Sequence, residues 1–344
     1  MTTTRRQISA RAPKARTSRA RARRSSTILG ICAALALTVS PATHAQPTAP
    51  EAPGSLRVES TNGREMVAQV YSPSMGRDIK VEIVRPRDTS RPSPTLYLLG
   101  DLWLDKTDVL DFYEDKNVNI VIPRGGAYTY YTDWRAPDPK VGVAKWETFL
   151  TRELPPVIDA SLGATGRNGV AGISMAATSV LTLAINAPGV FEAVGSYSGC
   201  AQTSDPLGQA FVRALVEGRG GADTLNMWGP PSDPAWAAND PYLNAEGLRG
   251  TSVFISNGSG LPGPYDTLDS QDIEGDPGKL IDRFAVGGIL EAATNVCTHR
   301  LVDRMNELGI PHEFKFRMNR THAWAYWQED LHDSWPMFAD ALGS

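Results

Sequence analysis

The stretch NGVAGISMAATSVLTLAINA, residues 168–187, joins a short apolar strand pattern to a longer apolar helix pattern. At the junction stands Gly172-Ile173-Ser174-Met175-Ala176, where small residues lie two positions before and after a serine. This arrangement is typical of a sharp strand-to-helix turn that exposes a serine hydroxyl above a sheet, because the tight turn leaves no room for large flanking side chains. The stretch therefore predicts an α/β fold with Ser174 as a candidate nucleophile.

The same alternation of strand and helix patterns continues on both sides of this turn. Three runs, Leu96–Leu99, Ile120–Ile122 and Val253–Ile255, are apolar at every position, as is usual for central parallel strands that helices cover on both faces. The sequence predicts strands at Met66–Tyr71, Ile79–Arg85, Thr95–Leu99, Val118–Pro123, Asn168–Ile173, Ala193–Ser198, Ser252–Ser256 and Glu313–Arg317, and helices at Ala144–Ala160, Met175–Ala187, Leu207–Glu217, Ile289–Leu308 and Trp324–Leu342. We expect a doubly wound, mostly parallel sheet whose ligands bind beyond the carboxyl ends of the strands.

The amino terminus differs from the rest of the chain in charge. Residues 1–45 hold nine of the 34 basic residues and no acidic residue, so residues 46–344 carry a net charge of −13 although the whole chain carries −4. The basic run precedes the apolar stretch Ile28–Ser40 and then Thr43 and Ala45, small residues at the positions that a signal peptidase reads. We predict a signal peptide at 1–45, an exported protein that starts near Gln46, and no nucleic-acid partner, because the body of the chain would repel phosphates.

After the leader, residues 46–54 are rich in proline and predict a short linker, and residues 55–344 predict a single catalytic domain. Removal of the leader also removes Cys32 and leaves Cys200 and Cys297. Two cysteines in an oxidising compartment favour one disulfide between them.

A serine needs a base to take its proton and an acid to orient that base. In folds with this serine turn the chain order is serine, acid, histidine, and His322 lies where the base is expected, between the last predicted strand and the last predicted helix. Position alone does not select the acid. The candidates are Asp266, Asp269, Asp272 and Glu274, which follow the strand at Val253–Ile255, and Glu291, which lies at the start of the helix at Ile289–Leu308.

Several longer motifs resemble the secreted mycolyltransferases of mycolic-acid bacteria, which include the antigen 85 proteins. The resemblance runs from about Tyr71 to the carboxyl terminus. It rests on Tyr130-Tyr131-Thr132-Asp133-Trp134, Lys145–Leu150, Gly172–Ala177, Met227-Trp228-Gly229-Pro230, Asp233-Pro234-Ala235-Trp236 and Thr321–Trp327. The segments Thr107–Tyr113, Tyr197–Cys200 and Gly287–His299 are closer to the corynebacterial branch.

The resemblance implies an α/β-hydrolase fold and a role for each candidate residue. Ser174 corresponds to the nucleophile, His322 to the general base and Glu291 to the triad acid. The backbone N–H of Met175 corresponds to one oxyanion donor, and we expect the second from Leu102. Trp103 stands where antigen 85 proteins have an arginine associated with trehalose, in a loop that is shorter here. Trp103, Trp228 and Trp324 are predicted to contact substrate.

The implied reaction is transfer of a mycoloyl group from trehalose monomycolate, through Ser174, to a hydroxyl of trehalose monomycolate, arabinogalactan or an envelope protein. No metal and no organic cofactor are implied. Two other functions are compatible with the sequence: a secreted carboxylesterase with the same three residues, and a wall-binding homologue whose shortened loop has ended catalysis.

Overall fold

The structure, a computed structural model, describes residues 55–344, so the predicted signal peptide at 1–45 and linker at 46–54 lie outside the described residues. Within 55–344, nine strands form one sheet. The strands are β1 (Leu56–Asn62), β2 (Glu65–Ser72), β3 (Arg77–Val84), β4 (Thr95–Leu99), β5 (Asn119–Pro123), β6 (Asn168–Ile173), β7 (Ala193–Tyr197), β8 (Ser252–Leu261) and β9 (Glu313–Asn319).

The strand order across the sheet is β1-β2-β3-β5-β4-β6-β7-β8-β9. The strands β1, β2 and β3 are antiparallel to their neighbours, and all pairs from β5–β4 to β8–β9 are parallel. Strands β4 to β7 are buried along their whole length, as the continuous apolar runs predict. Because the parallel strands point the same way, the segments that follow β4, β6, β7, β8 and β9 meet at one edge of the sheet.

The helices lie between the strands in chain order. They are α1 (Trp103–Lys106), α2 (Val109–Phe112), α3 (Trp146–Thr148), α4 (Leu154–Leu162), α5 (Met175–Asn186), α6 (Pro206–Arg213), α7 (Thr224–Met227), α8 (Pro234–Ala238), α9 (Pro277–Asp282), α10 (Gly288–Leu308) and α11 (Trp324–Leu342). Three π-helical segments, Phe149–Glu153, Ala214–Arg219 and Arg283–Gly287, extend or precede helices, and Ala245–Leu248 forms a 3₁₀ turn.

Alternate residues of the central strands enter two separate cores, one on each face of the sheet. Tyr97 and Leu99 of β4 pack in the core that contains α5 and α10, whereas Leu96 and Leu98 pack in the core that contains α11. Burying each such side chain contributes about 1.5–3 kcal/mol. The predicted doubly wound α/β sheet with helices on both faces is confirmed. No helix in the described part of the chain is both long enough and apolar enough to span a membrane.

Among the strands, the structure differs most from the sequence-based prediction at the edge strand β1 and at the parallel strand β8. Strand β1 was not predicted, because its sequence LRVESTN is polar and exposed along most of its length and so shows no buried alternation. Strand β8 continues five residues beyond the predicted end at Ser256, through a segment whose glycines and serines resemble a loop. There, residues from Asn257 to Gly258 pair with Phe316 and Arg317 of β9. This extension supplies one contact in the site described below.

Candidate active site

Ser174 lies at the turn between β6 and α5, at the carboxyl edge of the sheet. Its backbone adopts a φ of +54°, a left-handed conformation that is uncommon for residues other than glycine and is held here by the surrounding chain. The Ser174 N–H donates to the carbonyl oxygen of Tyr197 on the neighbouring strand β7, at 2.9 Å. A Cβ atom on Gly172 would lie 2.7 Å from the carbonyl oxygen of Ala176, which explains why the turn needs glycine at that position.

His322 lies in the loop between β9 and α11 and makes a hydrogen bond with each of its ring nitrogens. Its Nε2 atom is 2.8 Å from Ser174 Oγ, and its Nδ1 atom is 2.8 Å from Glu291 Oε2. The Trp327 ring packs edge-on against the imidazole, with ring centroids 4.8 Å apart. The distances join residues that are 148 and 31 positions apart in the chain, so the fold itself assembles this hydrogen-bonded series.

Glu291 lies in the first turn of α10 and is fully buried. While Oε2 faces His322, Oε1 accepts from the Ser198 hydroxyl at 2.9 Å and from the Gly258 N–H at 2.8 Å. The Arg320 Nε atom is 3.2 Å from the same oxygen. Burial alone raises the pKa of Glu291, but the hydrogen bond with His322 and the charge of Arg320 outweigh it, so the pKa of Glu291 lies below its usual value.

The other carboxylates that the sequence left open do not contact His322. Asp266 is buried and accepts from the Thr321 hydroxyl and the Tyr326 hydroxyl. Asp272 is paired with Lys106 and Arg283, and Glu274 with Lys279, while Asp269 is exposed. Of the five candidates, Glu291 is the one that the fold brings to the histidine.

Ser174 and His322 open into a cavity of about 580 Å³ at the carboxyl edge of the sheet. Its walls are mainly apolar and aromatic and include Leu102, Tyr128, Tyr131, Ile173, Met175, Leu215, Trp324 and Trp327. A second cavity of about 390 Å³ shares His322, Trp324, Trp327 and Arg219 with the first, and its other walls carry charged residues of the segment 272–283. The histidine is thus reached from an apolar side and from a polar side.

The three tryptophans predicted to contact substrate have different positions. Trp324 is half-buried and lines both cavities. Trp103 is fully buried, donates its indole N–H to the Leu99 carbonyl and packs edge-on against Trp324, with centroids 5.6 Å apart. Trp228 is also buried and packs against Trp236 and Tyr130. The rings of Trp103 and Trp228 are enclosed by other side chains and, unlike Trp324, line neither cavity.

Met175 and Leu102, the two predicted oxyanion donors, both line the cavity that contains Ser174. Met175 is the first residue of α5 and Leu102 immediately precedes α1, so the N–H of each lies at a helix start where no intrahelical acceptor is available. The neighbouring N–H of Gly100 is already used, since it donates to the Tyr131 hydroxyl at 3.1 Å. Met175 and Leu102 stay the predicted donors, and Gly100 is not a free alternative to Leu102.

The expected disulfide joins Cys200 and Cys297, with the two Cα atoms 4.9 Å apart. Cys200 follows β7 and lies two residues after Ser198, whose hydroxyl contacts Glu291. Cys297 is on α10, six residues after Glu291. The bond thus ties together two segments that contact the same carboxylate.

Sequence reasoning missed several residues at the site. Ser198 and Arg320 contact Glu291, and Arg219 lines both cavities. Arg320 stands two positions before His322, so its place beside the base was a usable signal, whereas no local pattern distinguishes Ser198. Arg219 is the last residue of the π-helical segment that follows α6, and such segments carry no clear sequence signal.

Comparison with known proteins agrees with this architecture. The Esterase family model matches residues 72–338. The diacylglycerol acyltransferase/mycolyltransferase Ag85A of Mycobacterium leprae is 36% identical over 292 residues, covering 80% of this chain and 83% of the relative. The corresponding Ag85B of Mycobacterium intracellulare is 33% identical over 291 residues, with coverage of 80% and 83%.

Solved structures give the same result for the fold. The crystal structure of Mycobacterium tuberculosis MPT51 (FbpC1) is similar with a TM-score of 0.65 and 26% identity, covering 80% of this chain and 97% of that one. An S-formylglutathione hydrolase from Agrobacterium tumefaciens, with a TM-score of 0.56 and 17% identity, covers 83% of this chain and 99% of its own and shares the fold. On this evidence the chain belongs to the Esterase family, with the α/β-hydrolase fold, and within it to the antigen 85 mycolyltransferases.

Proposed function

We propose that this protein is an acyltransferase that moves a mycoloyl group from trehalose monomycolate, through an ester on Ser174, to a second hydroxyl. The observation that carries the proposal is the hydrogen-bonded series Ser174–His322–Glu291, with 2.8 Å at each contact, at the floor of an apolar cavity. Such a series activates a serine, because the histidine takes the hydroxyl proton and the carboxylate stabilises the imidazolium that forms. Family membership supports the mycoloyl group as the acyl unit.

In the first half of the proposed reaction, Ser174 Oγ attacks the carbonyl carbon of the donor ester while His322 Nε2 takes its proton. The negative oxygen that develops is held by the N–H groups of Met175 and Leu102, and each such donor contributes roughly 10²–10³ in turnover. The bond between the carbonyl carbon and the sugar oxygen then breaks. His322 returns its proton to that oxygen, and the sugar leaves with the acyl group held on Ser174.

In the second half, a new hydroxyl gives its proton to His322 Nε2 and attacks the acyl carbon. The bond to Ser174 Oγ breaks and His322 returns the proton to the serine. The acceptor is a hydroxyl of trehalose monomycolate, arabinogalactan or an envelope protein, and water as acceptor would make the protein a carboxylesterase. The Trp324 ring, on the wall between the two cavities, is proposed to contact substrate.

Activity outside the cytoplasmic membrane is part of the proposal. The basic and apolar leader at 1–45 is proposed to direct export, after which cleavage leaves a chain starting near Gln46. A closer relationship to the corynebacterial branch also remains a prediction.

The test is a product analysis with purified protein starting at Gln46 and trehalose monomycolate labelled in the acyl chain. We expect labelled trehalose dimycolate or another labelled acylated acceptor, and no product from Ser174→Ala. Release of free mycolic acid alone would favour the carboxylesterase. Failure of a serine-reactive fluorophosphonate to label Ser174 in the folded protein would favour the non-catalytic wall-binding homologue.

A further inference from the structure

Arg320 is buried beside the candidate site and lines neither of its two cavities. Its side chain is fully buried, and its guanidinium lies between two buried carboxylates. Nε is 3.2 Å from Glu291 Oε1, and Nη1 is 2.5 Å from Asp330 Oδ2. Nη2 donates to the Ser198 hydroxyl at 2.7 Å. The guanidinium thus places a positive charge between the two carboxylates.

The two carboxylate oxygens of Glu291 have different partners. Oε1 accepts hydrogen bonds from the Ser198 hydroxyl and the Gly258 N–H, and the Arg320 guanidinium lies within ion-pair distance of the same oxygen. Oε2 faces His322. A carboxylate held in this way cannot rotate without breaking several contacts at once, so the oxygen that faces the histidine is fixed in place.

A second carboxylate, Asp330, shares the positive charge of Arg320 with Glu291. Asp330 of α11 lies on the other side of the guanidinium and is itself paired with Arg317. A buried arginine with Glu291 as its sole partner would compete with the imidazolium for that carboxylate. With Asp330 also present, the guanidinium is shared between two carboxylates, which leaves Glu291 able to stabilise the positive charge on His322.

The Arg320 side chain also fits a space shaped by its neighbours. A Cβ atom on Gly258 would lie 2.7 Å from the Arg320 Cβ and Cγ atoms, so the close approach of β8 and the arginine depends on glycine. The Ser198 hydroxyl oxygen accepts a hydrogen bond from Arg320 and a second one from the Trp327 indole N–H at 3.0 Å. The arginine is thus embedded in the contacts that hold Glu291.

We propose that Arg320, supported by Asp330, is a positioning residue that holds Glu291 ionised and turned toward His322 during acyl transfer. This proposal rests on the proposed function, because it assigns a role relative to the Ser174–His322–Glu291 series. Arg320 acts through Glu291 and contacts no substrate.

The first test compares Arg320→Met with wild type, using hydrolysis of a soluble p-nitrophenyl ester to measure acyl transfer to and from Ser174. We expect kcat to fall by roughly 100-fold, the loss expected from a small misplacement of a reacting group, while KM is unchanged since Arg320 lines neither cavity. Arg320→Lys keeps the charge without the planar fork and is expected to recover part of the rate. Arg64→Met removes an arginine that donates to the backbone carbonyls of Arg85 and Tyr113, away from the site, and serves as the matched control.

The second test separates positioning from folding. Arg320→Met alone leaves Asp330 buried with one fewer partner, which destabilises the fold, whereas Arg320→Met/Asp330→Asn removes both charges. We expect the double variant to regain much of the unfolding free energy but to keep the low kcat. Recovery of kcat together with stability would overturn the proposal and leave Arg320 with a structural role.

The pH profile is a third readout. The groups that face Glu291 are His322 and Arg320 from the loop before α11, Ser198 after β7 and the Gly258 N–H of β8. Loss of the cation raises the pKa of Glu291, so in Arg320→Met the rate is expected to fall at a higher pH than in wild type as the solution is acidified. An unshifted acid limb contradicts the proposal. Normal turnover by Ser174→Ala, in contrast, would refute the proposed function itself.

Discussion

Replacement of the disulfide cysteines by alanine, Cys200→Ala/Cys297→Ala, tests how the fold holds the site. The bond closes a loop between residues separated by 97 positions. In the chain-entropy account, closing a loop of about 100 residues contributes about 4.7 kcal/mol by restricting the unfolded chain. A domain of this kind has a total stability of about 5–15 kcal/mol, so the loss is a large share of it.

The measurement is equilibrium unfolding in urea, followed by far-UV circular dichroism. We expect the midpoint to fall with little change in slope, corresponding to a loss of about 4–5 kcal/mol, and the thermal midpoint to fall by about 10 °C. A double variant whose unfolding free energy lies within about 1 kcal/mol of wild type would refute the estimate. Alanine is used instead of serine because both sites are buried and a new hydroxyl would need a partner.

The same variant tests whether the bond supports the site as well as the fold. Cys200 is two residues from Ser198 and Cys297 is six residues from Glu291, so release of either segment moves a contact of the carboxylate. At a temperature where the variant is fully folded, we expect kcat to fall by roughly tenfold with KM unchanged. An unchanged kcat would show that the disulfide contributes to stability alone.

Three further substitutions probe other parts of the site. Glu291→Gln is expected to lower kcat by roughly 10⁴, since an amide cannot hold His322 in the required tautomer. The pKa of Glu291 is lowered in the folded state, so its ionised form stabilises the fold fully above the usual carboxyl pKa. This stabilisation is lost as the pH falls through the lowered pKa. The difference in unfolding free energy between wild type and Glu291→Gln, measured in urea, is therefore expected to shrink on acidification. Arg219→Ala is expected to raise KM for trehalose monomycolate about fivefold with kcat unchanged, because loss of an exposed charged hydrogen bond costs about 1 kcal/mol. An unchanged KM in steady-state assays would exclude contact between Arg219 and the donor. Gly172→Ala places a methyl group against the backbone of Ala176 and is expected to cost about 1–3 kcal/mol in unfolding free energy and most of the activity. Gly218→Ala, where the added methyl group meets open space, is the control. Equal effects of the two substitutions would contradict the close-packed turn at Gly172.

Much of the fold could be predicted because its central strands carry a strong signal. Thr95–Leu99 and Asn168–Ile173 were predicted with their observed bounds, since strands buried on both faces are apolar throughout. The polar edge strand Leu56–Asn62 and the glycine-rich end of β8 give no such signal, because pairing with neighbouring strands and not residue preference fixes them.

The site was predictable where a local turn or a loop position determines the residue. Ser174 and His322 follow from the strand-to-helix turn and from the loop before the last helix. Position in the chain did not single out Glu291, which was selected through the family resemblance. The burial of Trp103 could not be predicted, because a large aromatic residue in a loop gives no indication of whether it faces a cavity or packs behind its wall.

The most direct test of the account is to identify the residue that carries the acyl group. The purified protein is incubated briefly with trehalose monomycolate, quenched in acid, digested and measured by mass spectrometry. We expect a mycoloyl ester on the peptide that contains Ser174, formed by wild type and absent from Ser174→Ala. Acylated product formed by Ser174→Ala at the wild-type rate, or an acyl ester on a different residue, would contradict it.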